Sequence, residues 1–130
     1  MTPDSHRLAG LAVVATLVIA CAGLRLAALP SLHTPEHDDA ISYLAATCHQ
    51  AEYGLTVNRR APPFARWATA ADWQRLWSVE DRFGFQRIGR DLGERDIHPP
   101  LYFWLLHLWL IAFGVTVRSG PSLNVLISAG

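Results

Sequence analysis

From Leu8 to Leu24 the chain runs LAGLAVVATLVIACAGL without a charge, and this tract constrains the fold more than any other feature. Continued through Arg25 to Leu29 it gives about 20 residues, enough to cross roughly 30 Å of hydrocarbon as a helix. A transmembrane helix is therefore expected over 8–29. A cleaved lipoprotein signal is the rival reading, with Arg7 as the charged flank and Val18-Ile19-Ala20-Cys21 as the cleavage site. Beyond Cys21, however, eight more residues stay apolar apart from Arg25, where a mature lipoprotein would turn polar. A retained anchor accounts for more of the sequence.

A second apolar block, LYFWLLHLWLIAFGVTV, covers Leu101 to Val117. As a helix it would reach about 26 Å, so a second span is expected over 99–117. Arg118-Ser119-Gly120-Pro121 reads as a turn, after which apolar character resumes over 122–130 as the start of a truncated third span. The expected fold class is all-α and integral to the membrane. It has two transmembrane helices, the start of a third, and short amphipathic juxtamembrane helices between the first two.

Eleven arginines, with no lysine, balance eleven acidic residues, so no general positive field draws in nucleic acid. Cys21 falls inside the first span and Cys48 well beyond it, which argues against a disulfide between them.

The segment 30–97 is broken by Pro and Gly and is too short for a large core of its own. Thr34-Pro35-Glu36 reads as a helix start, with the helix running from about Pro35 to Tyr53 and Gly54 ending it. Asn58 to Pro63 reads as a loop, and its Arg59 and Arg60 are a weak phosphate signal because exposed loop arginines are common. Trp73, Leu76 and Trp77, then Phe85, Ile88 and Leu92, fall at helical spacing among arginines and acids. They predict two short amphipathic helices at the membrane interface.

On the helix from Pro35, the residues Asp38, Ile41, Ala45 and Cys48 recur at intervals of three and four. Asp38 thus heads the apolar stripe and Asp39 points elsewhere, so Asp38 is expected to be the more buried of the two. An ionised group is expensive to bury without a partner, although the helix dipole favours acids in any first turn. Downstream, Asp96 and His98 stand beside Pro99-Pro100 at the mouth of the second apolar helix, where the prolines leave no amide hydrogen unpaired. His98 can contact a phosphate or orient Asp96. His107, deeper in that helix, is expected to pack, and Tyr102, Phe103, Trp104 and Trp109 to pack or anchor. A metal held by His33, His37 and Asp38 is disfavoured, because Pro35 interrupts the helical spacing that would converge their ligand atoms.

The motifs His37-Asp38-Asp39-Ala40-Ile41-Ser42-Tyr43-Leu44-Ala45 and Asp96-Ile97-His98-Pro99-Pro100-Leu101-Tyr102 follow the first span and open the second. Together they resemble the amino-terminal part of GT-C membrane glycosyltransferases, the family-39 group related to protein O-mannosyltransferases and lipid A aminoarabinose transferases. The resemblance covers nearly the whole chain. The His-Pro-Pro-Leu-Tyr element matches unaltered, whereas Asp39 stands where the family carries Glu, one methylene shorter.

The resemblance implies transfer of a sugar from a polyprenyl-phosphate donor to an extracytoplasmic acceptor, with inversion, in a multi-pass protein of the inner (plasma) membrane whose loop 30–97 is extracytoplasmic. Asp38 is then the catalytic base with Asp39 as fallback, and Asp96, His98 and Tyr102 bind substrate. No cofactor is expected, and the partners are the lipid-linked sugar and membrane lipid. A chain of this size supplies an incomplete site, so it is expected to be inactive alone. The alternative is a small non-enzymatic membrane protein that binds lipid or a partner helix.

Overall fold

The computed structural model describes residues 3–57, 69–95 and 98–129. Among them there are seven α-helices and one short 3-10 turn, and no strand. The all-helical expectation therefore stands.

Helix α1 (Pro3–Ala28) passes into a 3-10 turn at Leu29–Ser31. The stretch His6–Ser31 is long and apolar enough to cross a membrane by length and composition, and none of its apolar window is buried inside the protein. Helix α2 (His37–Ala46) and helix α3 (Gln50–Val57) follow, then α4 (Ala70–Arg75), α5 (Phe85–Arg95), α6 (Pro100–Phe113) and α7 (Ser119–Ala129).

The single helix expected from Pro35 to Tyr53 is two helices. Glu36, with extended backbone, occupies the N-cap position in place of Thr34, and Cys48 sits at φ +67 between α2 and α3. That left-handed conformation turns the chain, and residues other than Gly adopt it rarely. Gly54, expected to end the helix, lies inside α3. Helices α4 and α5 fall where the two amphipathic helices were expected. Thr69 caps α4 reciprocally with Asp72, whose backbone N donates to Thr69 Oγ1 at 3.2 Å while Asp72 Oδ2 accepts from Thr69 N at 2.8 Å.

The second apolar block is helical over 14 residues only. That is about 21 Å, short of the hydrocarbon thickness that the expected span 99–117 would have to match. Gly114, at φ +82, closes α6, and its amide donates back to Leu110 O at 2.9 Å. The break thus comes before the expected Arg118–Pro121 turn, and Gly120 and Pro121 stand in the first turn of α7.

Two clusters hold the helices together, and α2 and α6 contribute to both. Tyr43 and Ala46 pack on Leu106, Leu110 and Leu123, while Ala45 and Cys48 pack on Ile88, Leu92 and Phe103. Helix α2 is consequently buried on every side from Tyr43 onward. Its partner α6 buries Phe103, Leu106, His107 and Leu110, one stripe of helical spacing, and leaves Leu101, Leu105, Leu108 and Phe113 exposed. Helix α7 returns antiparallel along α1, fixed where Arg118 Nη2 donates to Pro30 O at 3.1 Å and Arg25 Nη1 donates to Ser128 Oγ at 3.0 Å.

Candidate functional site

Helices α2 and α6 run side by side in the same direction. At one end Asp38 and His98 face a common cavity, and at the other His107 Nδ1 lies 2.7 Å from Ala46 O. The cavity has a volume of about 510 Å³ and is lined by Asp38, Ile41 and Ser42 from α2 and by His98, Pro99, Tyr102 and Phe103 around the start of α6. Both helices therefore open onto it with their N-terminal, partially positive ends. The rings of His98 and Phe103 meet at 6.4 Å and those of Tyr102 and Phe103 at 5.4 Å, so an aromatic wall faces the carboxylate.

Asp38 thus shares one recess with His98 and Tyr102, 60 and 64 residues further along the chain. Ser42, one helical turn beyond Asp38, belongs to the same wall and escaped the sequence reading, although its i+4 spacing carried the signal. Asp96 lies outside the described residues, as do Arg59 and Arg60.

The two acids exchange their expected burial. Asp38 is exposed and Asp39 half-buried, because α6 and α7 cover the Tyr43 side of α2 as fully as α5 covers the Ala45 side. Asp39 lies close enough for its charge to act on the phenols of both Tyr43 and Tyr102. Burial pushes the Tyr43 phenol above its ordinary range, the hydrogen bond from Gly120 N pulls it down, and Asp39 adds a smaller upward push. The Tyr102 hydroxyl bonds the side chain of Asn124 on α7. Asp39 is thus the more covered of the two acids, and Asp38 lines the open recess.

His33 turns back on the main chain, its Nδ1 2.5 Å from Ser31 O. Among the described residues no group of three or more His, Cys, Asp or Glu side chains is placed to hold a metal ion. His107 is fully buried, with Nδ1 on Ala46 O and Nε2 3.2 Å from Arg82 O. It packs and ties helices together, away from the cavity.

A second polar group gathers at the α2–α3 joint. The Thr47 hydroxyl lies within reach of Tyr43 O at 2.8 Å and Leu76 O at 3.2 Å, and it meets His49 Nδ1 at 3.2 Å. His49 Nε2 faces Glu80 at 3.8 Å, and Glu80 in turn faces Arg75, which pairs with Glu52 through both guanidinium arms. These groups come from the α2–α3 joint, α3, α4 and the segment before α5, and no spacing in the sequence announces them.

No protein-family model, no curated protein and no solved structure matches this chain.

Proposed function

We propose that this chain forms the amino-terminal wall of a membrane glycosyltransferase that moves a sugar from a polyprenyl-phosphate donor to an extracytoplasmic acceptor. One observation carries this: Asp38 and the His98-Pro99-Tyr102 element line the same cavity. An exposed carboxylate opposite an imidazole, with two helix N-termini opening onto the recess, suits a base and an anionic leaving group held side by side.

In the proposed reaction Asp38 takes the proton of the acceptor hydroxyl as its oxygen attacks the anomeric carbon. The bond from that carbon to the phosphate oxygen breaks, its electron pair leaves with the polyprenyl phosphate, and configuration inverts. His98 hydrogen-bonds the departing phosphate, Tyr102 packs against the sugar, and Asp96 stands two residues before His98 in sequence. Asp39, half-buried next to Asp38 on α2, is the fallback for the base.

Helix α1 anchors the chain in the inner membrane, α6 and α7 supply the apolar surface for further passes, and the loop 30–97 faces the extracytoplasmic side. One wall with one carboxylate does not enclose a donor and an acceptor, so turnover requires further helices of the same enzyme. The test uses the protein as its gene encodes it, in native membranes with a radiolabelled polyprenyl-phosphate sugar. Asp38→Asn is expected to lower transfer at least about 100-fold, the weight of a general base, with insertion into carbonate-washed membranes unchanged. Unaltered transfer would remove Asp38 from the base role.

A second reading, a non-enzymatic membrane protein that binds lipid or a partner helix, is favoured by the complete exposure of the apolar window of α1. Copurification from mild detergent is then expected to recover a partner in constant ratio. A chain that always purifies alone would count against it.

A further inference from the structure

Where α1 ends and α7 returns along it, a second cleft of about 390 Å³ opens, lined by Arg25, Leu29 and Leu32 on one side and Asn124 and Val125 on the other. Its walls are apolar except for one guanidinium and one amide. Arg25 spends a single donor on Ser128 Oγ, and Arg118, beside the cleft, a single donor on Pro30 O. A guanidinium has five. The chain carries no Asp or Glu from Ser5 to Pro35 or from Ile97 to Gly130, so α6, α7 and all of α1 beyond its first turn offer these two cations no carboxylate. Asp39, on α2, acts on the Tyr102 phenol, whose hydroxyl bonds Asn124 at the cleft.

We propose that this cleft binds an anionic membrane phospholipid, with the phosphate on Arg25 and Asn124, Arg118 adding charge at the Pro30 end, and an acyl chain descending past Val125 along the exposed apolar face of α1. The inference rests on α1 spanning the membrane, since that places Arg25, in its last turn, at headgroup depth with its stem in the acyl region. Charge complementarity selects the occupant: two cations without an acid, bordering an apolar groove on a helix that lipid surrounds. A zwitterionic lipid brings its own cation and gains less. The cleft lies on the α1–α7 side of the fold, meets the Asp38 cavity through the Tyr102–Asn124 bond, and takes part in no step of sugar transfer.

The experiment reconstitutes the full chain in nanodiscs of phosphatidylcholine containing phosphatidylglycerol, then releases it into detergent and counts retained lipids by native mass spectrometry. Retention of phosphatidylglycerol in preference to phosphatidylcholine is expected. Arg25→Gln lowers that preference about fivefold, the weight of one arginine beside an anionic headgroup, and Arg118→Gln lowers it less. Ser128→Ala, which removes a partner of Arg25 but no charge, and Arg7→Gln, at the far end of α1, leave it unchanged.

Equal retention of the two lipids overturns the proposal. So does an equal loss in Arg7→Gln and Arg25→Gln, which would mean attraction along the whole helix in place of a site. Displacement of the lipid by millimolar inorganic phosphate would also overturn it, by assigning the cleft to a free anion. Protease protection of α1 in the same discs reads insertion separately, so an uninserted chain defeats the membrane reading and an inserted chain without lipid preference defeats the cleft alone.

Discussion

The backbone N–H of Gly120 donates to the hydroxyl of Tyr43, 77 residues earlier, at 2.7 Å. Gly120 is the second residue of α7, where the first amides of a helix have no partner within it. Tyr43, almost fully buried on α2, supplies that partner and docks the start of α7 on the core. A Cβ built on Gly120 would stand 3.1 Å from the Tyr43 oxygen and 3.4 Å from its Cζ, so the close approach depends on glycine.

Two variants separate the bond from the space. Tyr43→Phe strands the Gly120 amide, and an unsatisfied buried donor costs about 1–3 kcal/mol. Gly120→Ala keeps the hydroxyl but forces the ring to give by a few tenths of an ångström. Denaturant midpoints in detergent are expected to fall for both. If Tyr43→Phe left the midpoint unchanged, the bond would not be what docks α7.

His49 makes stability depend on pH. Burial holds its imidazole below the ordinary value of 6.5, and Glu80 and then Glu52 oppose this, while Arg75 and Arg87 add to the depression. The folded chain thus binds fewer protons than the unfolded chain just below pH 6.5. Stability is fully present above that value and is lost as the pH falls toward the lower folded value. Unfolding midpoints measured at pH 7.5 and pH 5.5 are expected to drop more in the wild type than in His49→Gln. An equal drop would assign the acid sensitivity to other groups.

Cys48 is expected to be slow toward alkylating agents. Burial, the largest cause, pushes its thiol up to about 11, with Asp81 and Asp91 adding to the rise and Arg87 opposing it. Relative to an ordinary thiol near 9, the reactive thiolate is about a hundredfold scarcer at any pH below both values. In a Cys21→Ser background, iodoacetamide should label Cys48 slowly at pH 8 and at the ordinary rate in denaturant. Rapid labelling of the folded chain would show that the joint between α2 and α3 opens readily.

How far the sequence could be read follows from what each signal encodes. Composition and length locate α1, and the spacing of Phe85, Ile88 and Leu92 locates α5, because both patterns report burial along one element. The diproline announces α6. Cys48 at φ +67 breaks the expected long helix with a residue type that gives no turn signal, since Gly or Asn normally marks such a position. The burial of Asp38 and Asp39 was misjudged for a related reason. A helix stripe predicts one buried face, whereas α2 is enclosed between two clusters, and only its first turn remains open. The Asp38 cavity joins segments that share no local pattern, so composition and spacing alone could not pair Asp38 with His98.

That pairing depends on α2 and α6 staying parallel and in register, and His107 is the residue that fixes them. Its side chain is completely buried, and both ring nitrogens face backbone carbonyls, Ala46 O at the end of α2 and Arg82 O in the segment before α5. Ala46 O is one of the carbonyls that a helix end leaves without an internal partner. Phe85 meets the imidazole edge-on at 5.3 Å, so a phenyl ring at this position would keep much of the shape and the ring contact. His107→Phe therefore removes the hydrogen bonding and little else. It is expected to cost about 1–3 kcal/mol, the desolvation of a stranded buried acceptor, read as a lower denaturant midpoint. His107→Leu, which also loses the ring contact, should cost more. If His107→Phe proved as stable as the wild type, the carbonyls would be satisfied without the imidazole, and the alignment that carries Asp38 toward His98 would come from the Leu106 and Leu110 packing alone.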